Sequence, residues 1–352
     1  MTEILETDIL IVGAGPVGLF TVFEAGLLGL KCQIIDNLDK VGGQCAELYP
    51  DKPIFDIPGV PKQTAEEHVQ AILDQIKPFD YGLHLKQRVE EIKQIKLGGN
   101  EKKWKVKTSE SKEFITSNIF IAAGGGSFEP RRPPNILDPD RFLKKGVAYS
   151  VKDKNFYKNK DLVIFGGGDS ALDWTVELAN IANSIKLIHR RDKFRGAPNT
   201  ETQMRELVET KTIELKIPYV IETLEGTDKI SGVSIKHFDS KEIETHKCDE
   251  ILFLFGLNKK LGPIVNWNLD LLGKKISVDS EKFQSNQKGI FAVGDICDYP
   301  GKLDLILCGY HETTLAVQHA YKRCFPNEKR VPFSYTTSNT KLHKKLGIVQ
   351  DD

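Results

Sequence analysis

The sequence predicts an α/β protein made of two parallel-sheet domains, with the second domain inserted into a split first domain. Two glycine-rich turns carry this prediction, G-A-G-P-V-G at residues 13–18 and G-G-G-D-S-A at residues 166–171. Each turn follows an apolar segment of strand character and precedes a segment of helix character, the order of a βαβ unit. A later segment, G-I-F-A-V-G-D at residues 289–295, indicates that the chain returns to the first domain. The predicted fold class is therefore two Rossmann-like, three-layer nucleotide-binding domains.

The first βαβ unit begins with a buried parallel strand, since Thr7–Val12 is continuously apolar after Asp8. A helix from Pro16 to Leu28 and a strand from Lys31 to Asp36 complete the unit. The pattern further predicts a helix over Gln63–Ile76 and a turn at residues 98–100, together with strands over Tyr81–Ile95, Lys103–Thr108 and Asn118–Ala123.

The second βαβ unit consists of a strand over Asp161–Phe165, a helix over Ser170–Ala182 and a strand over Ser184–His189. The apolar strand Glu250–Phe255 leads back to the first domain, which ends with a strand over Lys288–Asp295. We therefore expect a first domain formed by residues 1–123 and 251–352 around an inserted domain of residues 124–250.

Composition excludes several classes of function. The 352 residues have zero formal net charge, so no global basic field points to a nucleic acid partner. The apolar stretch Ile9–Leu30 follows acidic residues and is interrupted by glycines, which favours a buried strand, turn and helix over a membrane span or signal peptide. The cytoplasm is the expected location.

The six cysteines have neither C-x-x-C nor C-x4-C spacing, so the sequence predicts no disulfide scaffold and no metal site.

The first glycine turn is expected to bind a dinucleotide. Gly13 allows the tight turn, Gly15 lets a pyrophosphate approach the backbone, and Gly18 lets helix and strand pack closely. Asp36 ends the next strand, where a carboxylate accepts ribose hydroxyls and repels a 2′-phosphate. This site suits FAD or NAD. Gln44, in V-G-G-Q at residues 41–44, either faces the bound group or belongs to an ordinary loop.

The second turn has the G-x-G-x-x-A form, with Gly166 and Gly168 as its first two glycines. Here the following strand ends in basic residues, Arg190 and Arg191, with Arg195 soon after. Guanidinium groups bind phosphate through paired hydrogen bonds, so this site predicts NADP(H).

Taken in order, G-A-G-P-V-G, G-G-Q, G-G-G-D-S-A, H-R-R-D-K-F-R and G-I-F-A-V-G-D resemble the low-molecular-weight thioredoxin reductases from about Thr7 to about Ala320. The resemblance implies an FAD domain formed by both chain ends, an inserted NADPH domain and a homodimer. It also implies that Asp295 lies at the ribityl and pyrophosphate part of the flavin.

One departure from that family is decisive. The C-x-x-C of thioredoxin reductases is replaced by G-V-A-Y-S-V-K at residues 146–152, and disulfide reduction of that type needs two thiols. The chain also has a C-terminal extension after Ala320 that contains P-F-S-Y-T-T-S. Both features resemble the thioredoxin-reductase-like ferredoxin/flavodoxin–NADP+ reductases.

That resemblance implies several flavin contacts. Tyr49 and Tyr335 match the residues that stack on the two flavin faces. Val89, Phe128 and Thr336 match further positions around FAD.

The resemblance implies an enzyme that exchanges hydride between NADPH and the N5 atom of FAD, and then exchanges single electrons with ferredoxin or flavodoxin. Two alternatives remain open: a flavin disulfide or peroxide reductase that uses an external thiol, and a redox-sensing flavoprotein.

Overall fold

The computed structural model describes residues 4–96, 102–328, 336–338 and 340–345, and confirms the α/β class. The chain forms two compact units, one of residues Met1–Ser127 with Lys259–Asp352 and the other of residues Phe128–Asn258. The chain crosses between the units a few residues after the predicted limits of 123 and 250. Within the described residues, no helix is both long and apolar enough to cross a membrane.

The segment of the chain before the first crossing contains the predicted βαβ unit among further elements. The helices and strands of this segment are as follows. Its helices are α1 (Pro16–Leu27), α2 (Gln44–Glu47) and α3 (Ala65–Ile76). Its strands are β1 (Ile4–Val12), β2 (Cys32–Ile35), β3 (Pro53–Ile54), β4 (Gln63–Thr64), β5 (Tyr81–His84), β6 (Val89–Lys96), β7 (Lys102–Thr108) and β8 (Glu113–Ile121).

Three predicted elements of this segment differ from the structure, and one of them is β8, which begins at Glu113, five residues before the predicted Asn118. Helix α3 begins after Thr64, because the Thr64 side chain accepts the Glu67 N–H while the Glu67 side chain accepts the Thr64 N–H. The predicted strand over Tyr81–Ile95 is divided into β5 and β6, since Lys86 between them has a φ of +56°. The predicted turn at residues 98–100 lies outside the described residues.

The inserted segment contains the second βαβ unit and several elements that were not predicted. Its helices are α4 (Asp169–Leu178) and α5 (Pro198–Glu209). The strands from the first crossing to the second are β9 (Ser127–Pro130), β10 (Val147–Ala148), β11 (Asp161–Phe165), β12 (Ser184–Ile188), β13 (Glu214–Lys216), β14 (Tyr219–Gly226), β15 (Ile230–His237), β16 (Ile243–Lys247), β17 (Glu250–Phe253) and β18 (Leu257–Lys260).

The last segment completes the first unit. Its strands are β19 (Leu271–Leu272), β20 (Lys275–Ser277), β21 (Ile290–Ala292) and β22 (Cys297–Asp298). Its helices are α6 (Ile306–Cys324) and α7 (Thr340–Lys345).

The sheet of the first unit has the order β5-β2-β1-β8-β7-β6, and β21 pairs with β8. The β1, β2, β5, β8 and β21 pairings are parallel, whereas β6, β7 and β8 pair as an antiparallel meander. Strand β1 is buried on both faces: Ile9 and Ile11 pack with residues of α1, α3 and α6, while Leu10 packs with Trp104 and Phe114. The first glycine turn follows the carboxyl end of β1, at the edge where α/β sheets bind ligands.

The sheet of the second unit has the order β10-β17-β11-β12-β13 and is parallel throughout. Strand β17 lies between β10 and β11, so this strand belongs to the inserted unit and does not begin the return to the first one. One face of β11 packs against α4 and α5 through Leu162 and Ile164, and the other packs against β15 through Val163 and Phe165. Strands β14, β15 and β16 form a separate antiparallel sheet.

Candidate functional site

The first glycine turn has no room for side chains at two of its three glycines. A Cβ at Gly13, where φ is +111°, would lie 2.4 Å from the Ala122 carbonyl oxygen. A Cβ at Gly18 would lie 1.9 Å from the Gly13 carbonyl oxygen, because α1 packs closely on β1 there. At Gly15 the nearest atom to a Cβ would be Gly43 Cα at 3.9 Å, so a gap remains in front of the turn. A pyrophosphate fits such a gap only if residue 15 lacks a side chain.

The amino end of α1 is suited to an anion. Gly15 is the N-cap and Pro16 opens the helix, and within this described helix no side chain caps the first N–H groups and no acid lies in the first turn. Free N–H groups and the positive end of the helix dipole stabilise negative charge at this place.

Asp36 has a structural role beside the predicted ribose contact. Its Oδ2 accepts the Ala14 N–H at 2.6 Å and its Oδ1 accepts the Leu38 N–H at 2.8 Å. Burial raises the pKa of this carboxyl, and those backbone hydrogen bonds oppose the rise. The Gln87 N–H donates to the Asp36 carbonyl at 3.1 Å, which brings the start of β6 and Val89 to the same end of the turn. The Val89 side chain itself is buried in the core.

Gln44 lies against the first turn. The Gly42 N–H donates to the Ala14 carbonyl at 2.8 Å, which fixes the G-G-Q segment beside the glycine turn. A Cβ at Gly124, where φ is +56°, would lie 3.2 Å from Gln44 Nε2. The loop alternative for Gln44 is therefore less favoured, since its side chain lies between two glycine segments of one unit.

Tyr49 and Asp295 come together from distant parts of the sequence. The Cys45 thiol lies 3.9 Å from Tyr49 Oη. Burial raises the pKa of Tyr49 most, and the neighbouring Cys45 and Asp295 raise it further. Cys45 is buried in the first unit's core with Tyr49 packed against it, and the charge of Asp295 acts on the pKa values of both.

A buried carboxylate beside this cluster was missed by the sequence analysis. Glu312 on α6 is fully buried, and its Oε2 accepts the Gly294 N–H at 2.6 Å. It therefore fixes the turn that carries Asp295. One signal was present in the sequence: Glu312 falls on the stripe of α6 that also contains Gly309, Ala316 and Ala320, where a buried residue is expected.

The second glycine turn is similar to the first. A Cβ at Gly166 would lie 2.6 Å from the Leu254 carbonyl oxygen, whereas a Cβ at Gly168 would meet no atom of the described residues within 4 Å. Gly168 is the N-cap of α4, and within this described helix no side chain caps its first N–H groups. Unlike α1, this helix has an acid, Asp169, in its first turn.

The three predicted arginines lie on one exposed loop after β12. Among the residues that the structure describes, the guanidinium groups of Arg190, Arg191 and Arg195 form no ion pair or hydrogen bond. The Arg195 N–H donates to the Gly167 carbonyl at 2.7 Å, which holds the loop against the glycine turn. Phe194 anchors the loop: its ring is buried and stacks on His189 at a centroid distance of 5.1 Å.

The family model for the pyridine nucleotide-disulphide oxidoreductases matches residues 7–321. The chain belongs to the pyridine nucleotide-disulphide oxidoreductase family.

Two curated proteins of similar sequence share one name. The ferredoxin–NADP reductase of Pelagibacter ubique is 47% identical, with 98% of this chain and 99% of that protein covered. The ferredoxin–NADP reductase of Nitrobacter winogradskyi is 48% identical, with 99% of this chain and 100% of that protein covered. The thioredoxin reductase of Lactococcus lactis has the same fold, with a TM-score of 0.71 at 24% identity over 90% of this chain and 98% of that one. These matches confirm the resemblance and the fold class.

Although the family is named for disulfides, five of the six cysteines of this member are poorly suited to thiol chemistry. All six are free, and Cys32, Cys45, Cys248 and Cys297 are buried. Burial raises the pKa of Cys45 to about 11 and the pKa values of Cys248 and Cys324 to about 12. Reactive thiols have pKa values well below 8.5, so these groups remain protonated at neutral pH.

Three predicted contacts remain, at Tyr335, Thr336 and Phe128. Tyr335 lies outside the described residues. Thr336 is exposed, and its carbonyl accepts a hydrogen bond from His343 Nε2 at 2.7 Å. Phe128 lies on β9, where the chain crosses between the units. The structure thus groups Gly13, Gly15, Gly18, Asp36, Gln44, Tyr49 and Asp295 in the first unit.

Proposed function

We propose that this chain is a ferredoxin–NADP+ reductase that uses FAD. FAD binds at the first glycine turn, in the unit formed by both chain ends, and NADP(H) binds at the second turn in the inserted unit. One observation carries the proposal: the chain has both nucleotide turns but lacks the C-x-x-C or C-x4-C pair to which the electrons of a disulfide reductase pass. The name of the relatives at 47–48% identity supports the same activity.

The first site fits FAD through its own residues. The gap before Gly15 and the uncapped end of α1 receive the pyrophosphate, and Asp36 receives the ribose hydroxyls. Gln44 and Asp295 contact the flavin end, where Tyr49 covers one ring face. Tyr335, Thr336, Val89 and Phe128 complete this proposed set on the strength of the family resemblance.

The second site fits NADP(H) through charge. The turn at Gly166 and Gly168 receives the pyrophosphate. Arg190, Arg191 and Arg195 bind the 2′-phosphate, because their exposed guanidinium groups are unpaired among the described residues.

When bound, the flavin supplies the exchange between a two-electron hydride donor and a one-electron carrier. The protein holds the nucleotide phosphates, orients the rings and provides no thiol acceptor. Ferredoxin is the proposed carrier, and flavodoxin is its proposed substitute.

The test begins with the visible spectrum of the purified protein before and after anaerobic addition of NADPH. We expect a flavin spectrum that NADPH bleaches rapidly, followed by cytochrome c reduction that depends on added ferredoxin. A colourless protein that takes up no FAD would contradict the proposal. NADPH-dependent reduction of a disulfide substrate without ferredoxin would favour the alternative activity instead, and bleaching without any carrier reduction would favour a redox sensor.

Two further parts of the proposal are a homodimer, which rests on the family resemblance, and a cytoplasmic location, which rests on the acidic and glycine-interrupted pattern of residues 1–30. Sedimentation velocity of the full chain tests the first, with a single species of about 79 kDa expected from two chains of 39.5 kDa (2 × 39.5).

A further inference from the structure

The acid in the first turn of α4 requires an explanation. A carboxylate at this place repels phosphate, and the corresponding turn of α1 has no acid within its described residues. Asp169 is therefore unfavourable for the proposed NADP(H) site on charge alone.

The structure shows what its carboxylate contacts. Asp169 Oδ1 accepts the Ala197 N–H at 2.9 Å, across 28 positions of sequence. Ala197 ends the loop that carries Arg190, Arg191 and Arg195 and is the N-cap of α5. Asp169 therefore joins the start of one helix to the end of the arginine loop.

A second contact ties the same loop to the glycine turn. The Arg195 N–H donates to the Gly167 carbonyl at 2.7 Å. Between these two hydrogen bonds lies Gly196, where a Cβ would meet the Leu172 side chain at 2.5 Å, so the loop backbone lies directly against α4.

The three arginines lie within residues 190–195 of the same exposed loop. Burial lowers the pKa of His189 most, and the nearby charges of Arg190, Arg195 and Arg191 lower it further. The His189 ring lies beside the glycine turn, since a Cβ at Gly167 would meet it at 2.3 Å, so the loop that carries the arginines starts at this turn.

We propose that Asp169 is a positioning residue for nucleotide selectivity: its hydrogen bond to Ala197 holds the arginine loop where the guanidinium groups reach a single 2′-phosphate. This inference rests on the proposed NADP(H) site and adds the residue that sets its geometry. Asp169 acts through the loop and does not itself contact the phosphate.

Three variants separate the hydrogen bond from the charge. Asp169→Ala removes both. Asp169→Asn removes the charge and retains an oxygen that accepts the Ala197 N–H. Ala197→Pro removes the donor and retains the charge, and the native φ of −58° at Ala197 is one that proline adopts.

Affinities are measured by calorimetry on the full chain with NADP+, NAD+ and adenosine 2′,5′-bisphosphate, the last of which needs no flavin. For Asp169→Ala and Ala197→Pro we expect about tenfold weaker binding of NADP+ and the bisphosphate, as for one lost hydrogen bond. In the same two variants NAD+ binding should change by no more than about twofold, because NAD+ lacks the 2′-phosphate. Asp169→Asn should bind NADP+ as wild type does, because it retains the hydrogen bond to Ala197. The KM for NADPH should follow the same order.

Each other outcome overturns the role of Asp169. Equal weakening of NADP+ and NAD+ would show a general structural defect, and equal behaviour of the Asp169→Ala and Asp169→Asn variants would show an effect of charge alone. If Asp169→Ala does not fold, the Ala197→Pro variant tests the same hydrogen bond through the same comparison of NADP+ and NAD+ binding. A wild-type chain that binds NADP+ and NAD+ equally well would overturn the NADP(H) assignment itself. A wild-type chain that prefers NADP+, with variants that bind it as well as wild type does, would overturn only the role of Asp169.

Discussion

The ammonium group of Lys302 lies 2.5 Å from Glu312 Oε1, and both side chains are almost entirely buried, with exposures of 2% and 0%. The same carboxylate accepts the Tyr299 hydroxyl at 2.9 Å and the Gly294 N–H at 2.6 Å. Removing two charges from water is costly, and several hydrogen bonds to one carboxylate offset that cost. The pair therefore ties α6 to the turn that carries Asp295.

Lys302→Met is expected to destabilise the protein by about 3–5 kcal/mol, because it leaves an uncompensated buried carboxylate. Urea unfolding followed by circular dichroism measures the loss. The control is Lys105→Met, whose partner Glu113 lies 2.9 Å away in a partly exposed pair and which should cost about 1 kcal/mol or less. Similar losses of stability in the two variants would contradict the role of burial. A double variant of Lys302→Met and Glu312→Met that is no more stable than Lys302→Met alone would also contradict it.

Arg190→Ala combined with Arg191→Ala is expected to raise the KM for NADPH at least about tenfold, since each charge-assisted hydrogen bond to phosphate contributes about 1.5–3 kcal/mol. The KM for NADH should change little, because NADH has no 2′-phosphate. Steady-state kinetics with both nucleotides measure the split. Lys193→Ala, which removes an exposed cation of the same loop, serves as the control. Equal changes for the two nucleotides would count against the NADP(H) assignment.

Cys45→Ala is expected to leave NADPH-dependent turnover within about twofold, although Cys45 lies beside Tyr49. Its thiol is buried and has a pKa of about 11, so almost none of it is thiolate below pH 9. Iodoacetamide at pH 7.5 should therefore neither label this residue in the folded protein nor inhibit the enzyme. Rapid labelling of Cys45, or loss of turnover on its replacement, would show a thiol that takes part in the reaction.

The protein is expected to lose stability as the pH falls from about 7 to 5.5, and His68 should contribute to this loss. The Gln63 amide donates to His68 Nδ1 at 2.7 Å, and burial lowers the pKa of the ring. Below the unfolded pKa of about 6.5 the unfolded chain takes up a proton that the folded ring does not, so acid favours unfolding until the folded pKa is reached. Thermal midpoints of wild type and His68→Gln across this range should give a shallower pH dependence for the variant. Parallel curves would remove His68 from this account.

The sequence was most informative where a structural element is decided by neighbours along the chain. The strand, glycine turn and helix from Thr7 to Leu28 form nearly as predicted, because apolar periodicity and glycine placement are local signals. The antiparallel sheet of β14, β15 and β16 was not predicted, since its strands owe their stability to mutual pairing and to packing on the inserted unit's core. The prediction that the strand Glu250–Phe255 leads back to the first domain was wrong for the same reason, because the apolar character of a strand does not determine which sheet it joins.

By itself, the sequence determined the two nucleotide turns, the acid after the first, the arginines after the second and the lack of a C-x-x-C pair. These features are fixed by residue type and spacing. Only the tertiary structure decided that Asp36 binds Ala14, that Glu312 is buried with Lys302 and that Asp169 reaches Ala197. The reason is that a charged side chain is placed among possible partners by how helices and strands pack, and that packing depends on contacts between residues distant in sequence.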